Sequence, residues 1–511
     1  MDLARSIDRL VGLISPATEV RRLRAREAVD LARRSYEGAS VSRRTGGWIT
    51  APTSQNEAAR GRLGTLRNRS RDLVRNNAWA LRAAELYEDE VVGTGITPKF
   101  EADDSKTAKE LEAIWKEWAE TTQIDADGRL TVYGLQALAV RTIFESGEVL
   151  LRRRWRRPAD RLAIPLQIEL LEPDHLDDSK DYGRLENGAR IQAGIQLSPI
   201  GKREGYWLFQ DHPGDSFSLR AFESRLVPES EVLHAYRVTR SKQLRGIPAL
   251  AAVVIAIRDL DEYRDSQVVK QKIAACLAAL IQDNAELGEP KTGAGPVPLL
   301  PEFLEPGALI PLPPGKTVAM VQPPTVAEYG EFTKAQLRYL SSGLGVTYEA
   351  LSGDWSDVNF SSGRLGHLQA GRGIDRWRWT VVVSQILDPL VRWVVEAAVI
   401  SGRIRDGRWS VRWTPPHRAI WDPKTEVPAA RDKIRAGMTS LSEVLREQGQ
   451  DPRSVLEELA SDLEMARSLG LRLESDPSVP LRGSPNAPSG NQSGEASKAR
   501  PAAGGEAPPS E

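Results

Sequence analysis

Two stretches in the middle of the chain show long runs of hydrophobic residues at helical spacing. The first begins at Leu250, just after Arg245-Gly246-Ile247-Pro248, and continues to about Asp283 without an internal Gly or Pro. The second runs from about Val326 to Leu344, and a Pro/Gly-rich insert separates the two. At about 1.5 Å per residue, the first helix would be roughly 50 Å long, which exceeds the usual length of a globular helix. A helix–insert–helix of this size indicates an element that spans a large assembly rather than the frame of a catalytic pocket.

The flanking regions mix helical and strand-type patterns. Helical spacing recurs in the stretches 57–92, Thr107–Glu120, Tyr133–Glu145, 364–402 and 424–469. Strand-type stretches bounded by turn residues are Gly147–Trp155, Leu166–Leu171, Ile191–Ile195, Gly205–Leu208, Val232–Tyr236 and Trp409–Trp413. Residues 345–363 are expected to form a polar loop, and the composition from Ser475 onward is typical of disordered segments. The pattern predicts an α+β fold.

Composition adds an asymmetry of charge. The 511 residues favour several domains, and the net charge of −1 argues against a protein that binds nucleic acid over its whole surface. Residues 1–75, however, hold 16 Arg, no Lys and 8 Asp or Glu, so the rest of the chain is acidic. Such a basic amino-terminal arm favours an anionic partner, as in a DNA-binding protein. The alternative is a solvated arm whose Arg residues pair with neighbouring acids.

The single cysteine limits the chemistry of the chain. Cys276 on its own excludes an internal disulfide framework and a Cys-based zinc site, and its place in the first long helix favours a small buried hydrophobe. No apolar run of about 18 residues is present, so no membrane span is expected. The beginning, Met1-Asp2-Leu3-Ala4-Arg5, lacks the hydrophobic region of a signal peptide.

A set of short stretches along residues 35–420 supplies a more specific signal. They are Ser35-Tyr36-Glu37-Gly38-Ala39, Arg69–Asn77, Gly147-Glu148-Val149-Leu150, Leu171–Leu176, His212-Pro213-Gly214-Asp215, Val232-Leu233-His234, Gln243–Pro248, and Gly343–Asp354 with Asn359–Arg364. Any one of them is weak, but together with the helix–insert–helix they resemble the lambda-like family of portal proteins of tailed bacteriophages. Leu340-Ser341-Ser342 and Phe360 depart from the family, where a more Ala-rich stretch and Tyr are typical.

The resemblance implies a structural protein without cofactors. It would form a ring of twelve copies, or a 13-mer when free, at one capsid vertex of the virion after assembly in the host cytoplasm. The ring would conduct DNA during packaging and ejection. The implied partners are further copies of the chain, double-stranded DNA in the channel, the terminase large subunit, the major capsid or scaffold protein and a head–tail connector, with no membrane. The chain has no phosphate-binding Gly-x-x-x-x-Gly-Lys-Ser/Thr motif, so the ATPase activity of packaging is expected in another protein.

The resemblance also implies a division of the chain into the parts of a portal. These are a basic arm (1–45), a mixed α/β wing (46–243), stem helix 1 (244–283), a clip (284–324), stem helix 2 (325–348), a tunnel loop (349–363), a wing return helix and strand (364–423), a helical crown (424–474) and a disordered tail (475–511).

Two sets of residues are expected to line the channel. On the first stem helix, Asp259, Glu262 and Asp265 would face the lumen. The apolar stripe would face neighbouring subunits; it comprises Leu250, Val253, Ile257, Leu260, Val268 and Ala275. Because release of counterions makes cationic surfaces bind DNA tightly, an acidic or balanced lumen suits passage. In the tunnel loop the candidates are Asp354, Trp355, Asp357, Asn359 and Phe360, and the alternative is a surface turn whose aromatic residues fold back onto the protein.

Two further clusters admit competing interpretations. Arg152, Arg153, Arg154, Arg156 and Arg157 surround Trp155, as in a DNA-contact patch, or they alternate on a strand and pair with acids. Glu172, Asp174 and His175 have the residue types of a metal-dependent hydrolase, but Pro173 and Asp174 are also turn formers, and the turn is favoured.

Overall fold

The computed structural model describes residues 15–18, 20, 21, 24, 25, 43, 47, 50–181, 183–215, 223–275, 279–283, 316–320, 329–416, 422–471 and 473. The chain divides into two units, Met1–Arg60 and Gly61–Glu511. In the first unit, a short helix α1 (Gln55–Ala59) is capped by the Ser54 hydroxyl, which accepts the Glu57 N–H at 3.2 Å. The predicted basic arm, residues 1–45, lies largely outside the described residues.

The second unit is predominantly helical. Its α-helices are α2 (Leu63–Asn76), α3 (Ala78–Val91), α4 (Ser105–Ile114), α5 (Val132–Ser146), α6 (Val254–Ala275), α7 (Tyr329–Leu344), α8 (Tyr348–Ser352), α9 (Phe360–Trp377), α10 (Asp388–Ile400), α11 (Pro423–Arg435), α12 (Leu441–Glu447) and α13 (Pro452–Ser468). Two π-helical segments extend this set, Trp115–Ala119 after α4 and Arg378–Leu387 between α9 and α10. The predicted helix over 364–402 is confirmed as this continuous run from Phe360 to Ile400. No described helix is both long and apolar enough to cross a membrane.

The strands form four small antiparallel sheets. They are β1 (Thr97–Ala102), β2 (Glu148–Trp155), β3 (Leu166–Leu171), β4 (Arg190–Gln192), β5 (Ile195–Leu197), β6 (Arg203–Phe209), β7 (Ser224–Pro228), β8 (Val232–Tyr236), β9 (Ala279–Asp283), β10 (Lys316–Met320) and β11 (Trp409–Thr414). The sheet orders are β1-β11, β9-β10, β3-β2-β8 and β4-β5-β6-β7. This mixture confirms the helix-and-sheet class. The strand expected over Ile191–Ile195 is instead a hairpin, because Ala193 and Gly194 turn the chain at φ 49° and 82°.

The main core lies where α2, α3, α5 and α9 pack together. The prediction of a single helix over 57–92 is wrong. The helix is broken at Asn77, whose backbone is extended and whose side-chain oxygen accepts the N–H groups of Trp79 and Ala80 at 3.0 and 3.1 Å. An Asn side chain in this position begins a new helix, so the chain changes direction between α2 and α3.

The first predicted stem helix differs from the observed one at both ends. A 3₁₀ turn (Ala249–Ala252) precedes α6, whose described part reaches Ala275. Beyond it, Ala279–Asp283 are not helical but pair with Lys316–Met320 as β9 and β10. The described part of the insert 284–324 is therefore a returning strand. The apolar stripe is also corrected. Its first four members, Leu250, Val253, Ile257 and Leu260, are at most 3% exposed and belong to the chain's own core, whereas Val268 is exposed.

The polar loop expected over 345–363 is shorter than predicted. Thr347 caps α8, and Asn359 caps α9. Both helices lie partly or wholly within the predicted loop, and residues 353–359 form the connection between them. Cap side chains accept the first free N–H groups of a helix, which lets short polar sequences enter helices that a hydrophobic pattern does not reveal. Residues 424–469 are helical as predicted, in the three separate helices α11, α12 and α13.

Candidate functional site

Three of the short stretches that carry the family resemblance, Gly147–Leu150, Val232–His234 and Gln243–Pro248, meet at one buried carboxylate, Glu148. Helix α5 ends at Gly147, whose φ of 92° lets the chain reverse into β2, and Glu148 is the first residue of that strand. Its side chain is fully buried. Around it lie Arg67 from α2, His234 from β8, and the segment Arg245-Gly246 that precedes α6.

Glu148 accepts hydrogen bonds at both carboxylate oxygens. Arg245 Nε donates a hydrogen bond to Glu148 Oε1 at 2.8 Å. Arg245 Nη2 lies 2.7 Å from the same oxygen. His234 Nε2 at 2.9 Å and the backbone N–H of Gly246 at 2.7 Å contact Oε2. The Arg67 Nη2 atom lies 3.6 Å from Oε1. One carboxylate therefore holds a helix, a strand and the entry to α6 together, a group we call the Glu148 hub.

The charges in the hub follow from burial and pairing. Burial alone would raise the pKa of Glu148, but the guanidinium of Arg245 and the hydrogen bond from His234 hold it well below its usual range. Burial lowers the pKa of His234 to about 4. His234 is thus neutral at pH 7 and donates through Nε2, in agreement with a buried Nδ1 that has no hydrogen-bond partner. The hub is an ionised carboxylate between arginines, with a neutral imidazole beside it.

Two glycines allow the backbones around the hub to touch. A Cβ atom on Gly246 would lie 2.0 Å from the Gly147 carbonyl oxygen, and one on Gly147 would lie 2.6 Å from the Ile247 carbonyl carbon. Both distances are far below van der Waals contact, and the opposing atoms are backbone. The sequences Gly147-Glu148 and Arg245-Gly246 therefore fit each other only with glycine at both positions.

A second layer of ion pairs contains the carboxylates of the metal-site alternative. Arg71 Nη2 lies 2.5 Å from Asp174 and 2.8 Å from Glu172, and Arg67 Nη1 lies 3.2 Å from Asp174. Burial would raise the pKa of Asp174, but the two guanidinium groups lower it below its usual value. A metal ion would have to compete with cations that are already in place, so this geometry argues against the hydrolase alternative.

The histidine nearest to these carboxylates is also not the one expected. His212 Nε2 lies 3.6 Å from Glu172, and Glu172, Asp174 and His212 bring ligand-type atoms within 4.8 Å of one another. His175 Nδ1 instead lies 3.2 Å from the Phe209 carbonyl oxygen. Of the predicted cluster, Glu172 and Asp174 lie together because both contact Arg71, whereas His175 contacts the Phe209 carbonyl instead.

The connection 353–359 has internal contacts that the sequence pattern does not reveal. Hydrogen bonds from the hydroxyl and N–H of Ser356, with a further one from the Tyr348 hydroxyl, lower the pKa of Asp354 to about 2. Lys334 on α7 forms an ion pair with Asp357 and lies 3.9 Å from Asp354. One lysine thus lies beside both loop carboxylates, and the three side chains together carry a formal net charge of −1.

The other loop candidates have more varied environments. Trp355 is half exposed and borders a cavity of about 350 Å³ between α3 and α9, which Arg82, Leu86 and Gly366 also line. Asn359 Oδ1 accepts the Ser362 N–H at 2.8 Å and so begins α9. The side chain of Phe360 lies outside what the structure describes.

The carboxylates predicted for the lumen are exposed on α6. Asp259, Glu262 and Asp265 share the solvent side of this helix. Glu262 pairs with Arg258 at 2.9 Å, and Asp265 lies 3.7 Å from Arg264. The face is therefore mixed in charge rather than uniformly acidic.

Most of the arginine patch pairs with the chain's own side chains. Arg153 lies 2.7 Å from Glu396, Arg154 lies 3.1 Å from Glu169, and Arg156 donates to Gln167 at 2.7 Å. Arg152 is half buried, and burial lowers its pKa. The Arg157 side chain is exposed, and the backbone N–H of Arg157 donates a hydrogen bond to the Asp160 carboxylate. These contacts agree with the alternative interpretation, in which the arginines lie on a strand and pair with acidic or polar side chains of the same chain. Contact of this patch with DNA stays a prediction.

Comparisons with known proteins find matches along most of the chain. A sequence model described as "Phage portal protein, lambda family" matches residues 41–378. The chain is 27% identical over 434 residues to the "Probable portal protein" of Halomonas phage phiHAP-1, covering 80% of this chain and 81% of that one. It is 24% identical over 458 residues to "Portal protein B" of Escherichia phage lambda, covering 79% and 84%. Among solved structures, a chain from "Neck of native GTA particle computed with C12 symmetry" matches with 15% identity and a TM-score of 0.43 over 75% of this chain and 93% of that one.

Proposed function

Because this chain belongs to the lambda family of phage portal proteins, we propose that twelve copies form a ring at one capsid vertex, through which DNA enters and leaves the head. The observation that carries the proposal is the family match across residues 41–378. Three of the stretches that resemble the family meet at the Glu148 hub, so parts of the family pattern that are far apart in the sequence lie together in the fold. The family is a structural one, and catalysis is not part of the proposal.

The passage of DNA would depend on weak contacts with the wall of the channel. We assign the wall to α6, where the exposed Asp259, Glu262 and Asp265 alternate with Arg258 and Arg264. A surface of arginines and lysines would release counterions from DNA and hold it, which would stall transport. A face of mixed charge has no such affinity, so DNA could slide past it.

The connection 353–359 is the candidate for the loop that meets DNA in the channel. Lys334 offsets part of the charge of Asp354 and Asp357, and Trp355 stands half exposed beside them. Contact with DNA would therefore be mainly steric, with a modest repulsion of phosphates. The loop's attachment to α7 through Lys334 would couple its position to the second stem helix.

The remaining parts of the portal are assigned by analogy with the family. The insert 284–324 would be the clip that docks the terminase large subunit and later the head–tail connector, and residues 424–474 would be the crown. The wing, built on the sheets around β2 and β6, would face the major capsid or scaffold protein. Asp259 and its neighbours would then lie between clip and crown.

The first test is negative-stain electron microscopy of the purified chain with native mass spectrometry. Rings with a central hole and a mass near twelve times 56.3 kDa are expected, with thirteen copies as the accepted variation for free rings. A discrete monomer or dimer that persists at high protein concentration would refute the proposal.

A further inference from the structure

The three carboxyl-terminal helices α11, α12 and α13 leave an unusual amount of apolar surface exposed. Across the 37 residues of these helices, the sole buried side chain is that of Ala466. Exposed apolar residues include Val427 at 54%, Leu441 at 46%, Met465 at 60% and Leu469 at 67%. Apolar surface on this scale is typical of a protein–protein contact.

One part of this surface is a groove between α11 and α12. It has a volume of about 380 Å³. Its apolar lining comes from Val427, Ala430, Ile434, Leu441 and Val444. Its rim includes Arg431 and Arg435, and also Glu426, which lies 3.4 Å from Arg364. Arg431 Nε lies 3.2 Å from the neighbouring Asp432. None of the residues that line the groove belongs to α13, although α13 packs beside α12. The groove is thus apolar inside, and its two arginines lie along the second half of α11, with Glu426 toward the other end.

A second part is a single face of α13 with the opposite character. Glu458, Asp462, Met465 and Leu469 follow one another at spacings of four, three and four residues, so they lie on one side of the helix. All four are exposed. The face is acidic toward the beginning of α13 and apolar toward its end. It extends over roughly 16 Å, comparable with the roughly 12 Å from Val427 to Arg435 on α11.

We propose that this face of α13 docks in the α11–α12 groove of a second copy of the chain. Met465 and Leu469 would fill the apolar groove, while Glu458 and Asp462 would meet Arg431 and Arg435. The two surfaces differ, so the contact is heterologous and can continue from copy to copy around a closed ring. The inference rests on the proposed ring and identifies one of the contacts that closes it.

Cross-linking between two differently marked chains tests the contact directly. Both chains carry Cys276→Ser; one also carries Val444→Cys and the other Met465→Cys. Cysteines whose Cα atoms approach within about 7 Å can form a disulfide. Mixed rings are expected to yield disulfide-linked dimers under mild oxidation, and rings of either chain alone are not. Mixed rings without the cross-link would overturn the docking while leaving the proposed function intact. If the unmodified chain forms no ring, the proposed function fails, and this inference fails with it.

A charge exchange provides a second test that does not depend on cysteines. Glu458→Arg with Asp462→Arg replaces two attractions by two repulsions and should weaken association by up to about fivefold for each attraction lost, the upper end for exposed pairs. Adding Arg431→Glu and Arg435→Glu should restore ring yield. The matched control is Glu464→Arg, an exposed acid two residues from Asp462 and therefore on the far side of α13, which should leave ring yield unchanged. Equal losses from the control and the double variant, or no rescue, would contradict the docking.

Discussion

Replacing Glu148 by Gln should destabilise the folded chain strongly. Gln has nearly the same shape and still offers an oxygen to the Gly246 N–H, so packing around the hub is preserved. The change removes the charge, however, and takes away the carboxylate that pairs with Arg245, which is about 4% exposed, while Arg67 keeps Asp174 at 3.2 Å. Removing one partner of a buried ion pair costs about 3–5 kcal/mol, because the remaining charge is left desolvated and unpaired. We expect a loss in the free energy of unfolding within that range.

The measurement is urea unfolding at pH 7, followed by circular dichroism, for the original chain and two variants. The control is Glu169→Gln on β3, which removes a carboxylate that lies 3.1 Å from Arg154 in a pair about one third exposed. Exposed pairs contribute about 1 kcal/mol or less, so this variant should unfold close to the original chain. If Glu148→Gln loses no more stability than Glu169→Gln, the hub does not hold the charge arrangement described above.

Three further predictions follow from the hub and the loop. The pKa of His234 is lowered to about 4 in the folded chain, against about 6.5 when unfolded. The unfolded chain therefore binds more protons in that window, and the free energy of unfolding should fall by up to about 1.4 kcal/mol per unit as pH drops from 6.5 to 4; a stability profile as steep for His234→Gln would contradict this. Gly246→Ala should abolish folding because its Cβ would lie 2.0 Å from a backbone oxygen, whereas Gly330→Ala in α7, with nothing within 4 Å, should be tolerated; comparable yields of folded protein from both would refute the close approach. Asp354→Lys with Asp357→Lys should slow DNA packaging through phosphate attraction, and an unchanged packaging rate in vitro would remove this loop from the channel.

Local patterns predicted those elements whose stability is decided locally. The stretches Thr107–Glu120 and Tyr133–Glu145 are helical as expected because their hydrophobic spacing and their core contacts coincide. The prediction of a first long helix is wrong over Ala279–Asp283, which form a strand instead. The partner strand Lys316–Met320 follows more than thirty residues later in the sequence. Helical spacing cannot reveal a hydrogen-bonding partner that the chain supplies only after an insert.

The sequence does not predict the Glu148 hub as a site. Gly147-Glu148, His234 and Arg245-Gly246 lie within separate stretches of the family resemblance, and nothing in their spacing shows that one carboxylate joins them. Lys334 was missed altogether, because a lysine on an amphipathic helix is ordinary until its distance to Asp357 is known. Interactions between distant residues depend on the packing of whole elements, and one sequence does not record that packing.

The Glu148 hub fixes the path along which the chain enters α6. Buried ion pairs add little net stability compared with apolar packing, but they accept few alternative geometries. Here Glu148 accepts a hydrogen bond from the backbone N–H of Gly246, shortly before the chain enters α6. Gly147 and Gly246 let the two backbones lie in direct contact, and this contact limits how far one backbone can move against the other. The sheet that contains β2 and the helix assigned to the channel wall are therefore joined by contacts that fix direction. In a ring, a small error in the direction of α6 would be repeated in every copy, so a joint that specifies geometry serves ring closure better than one that merely adds stability.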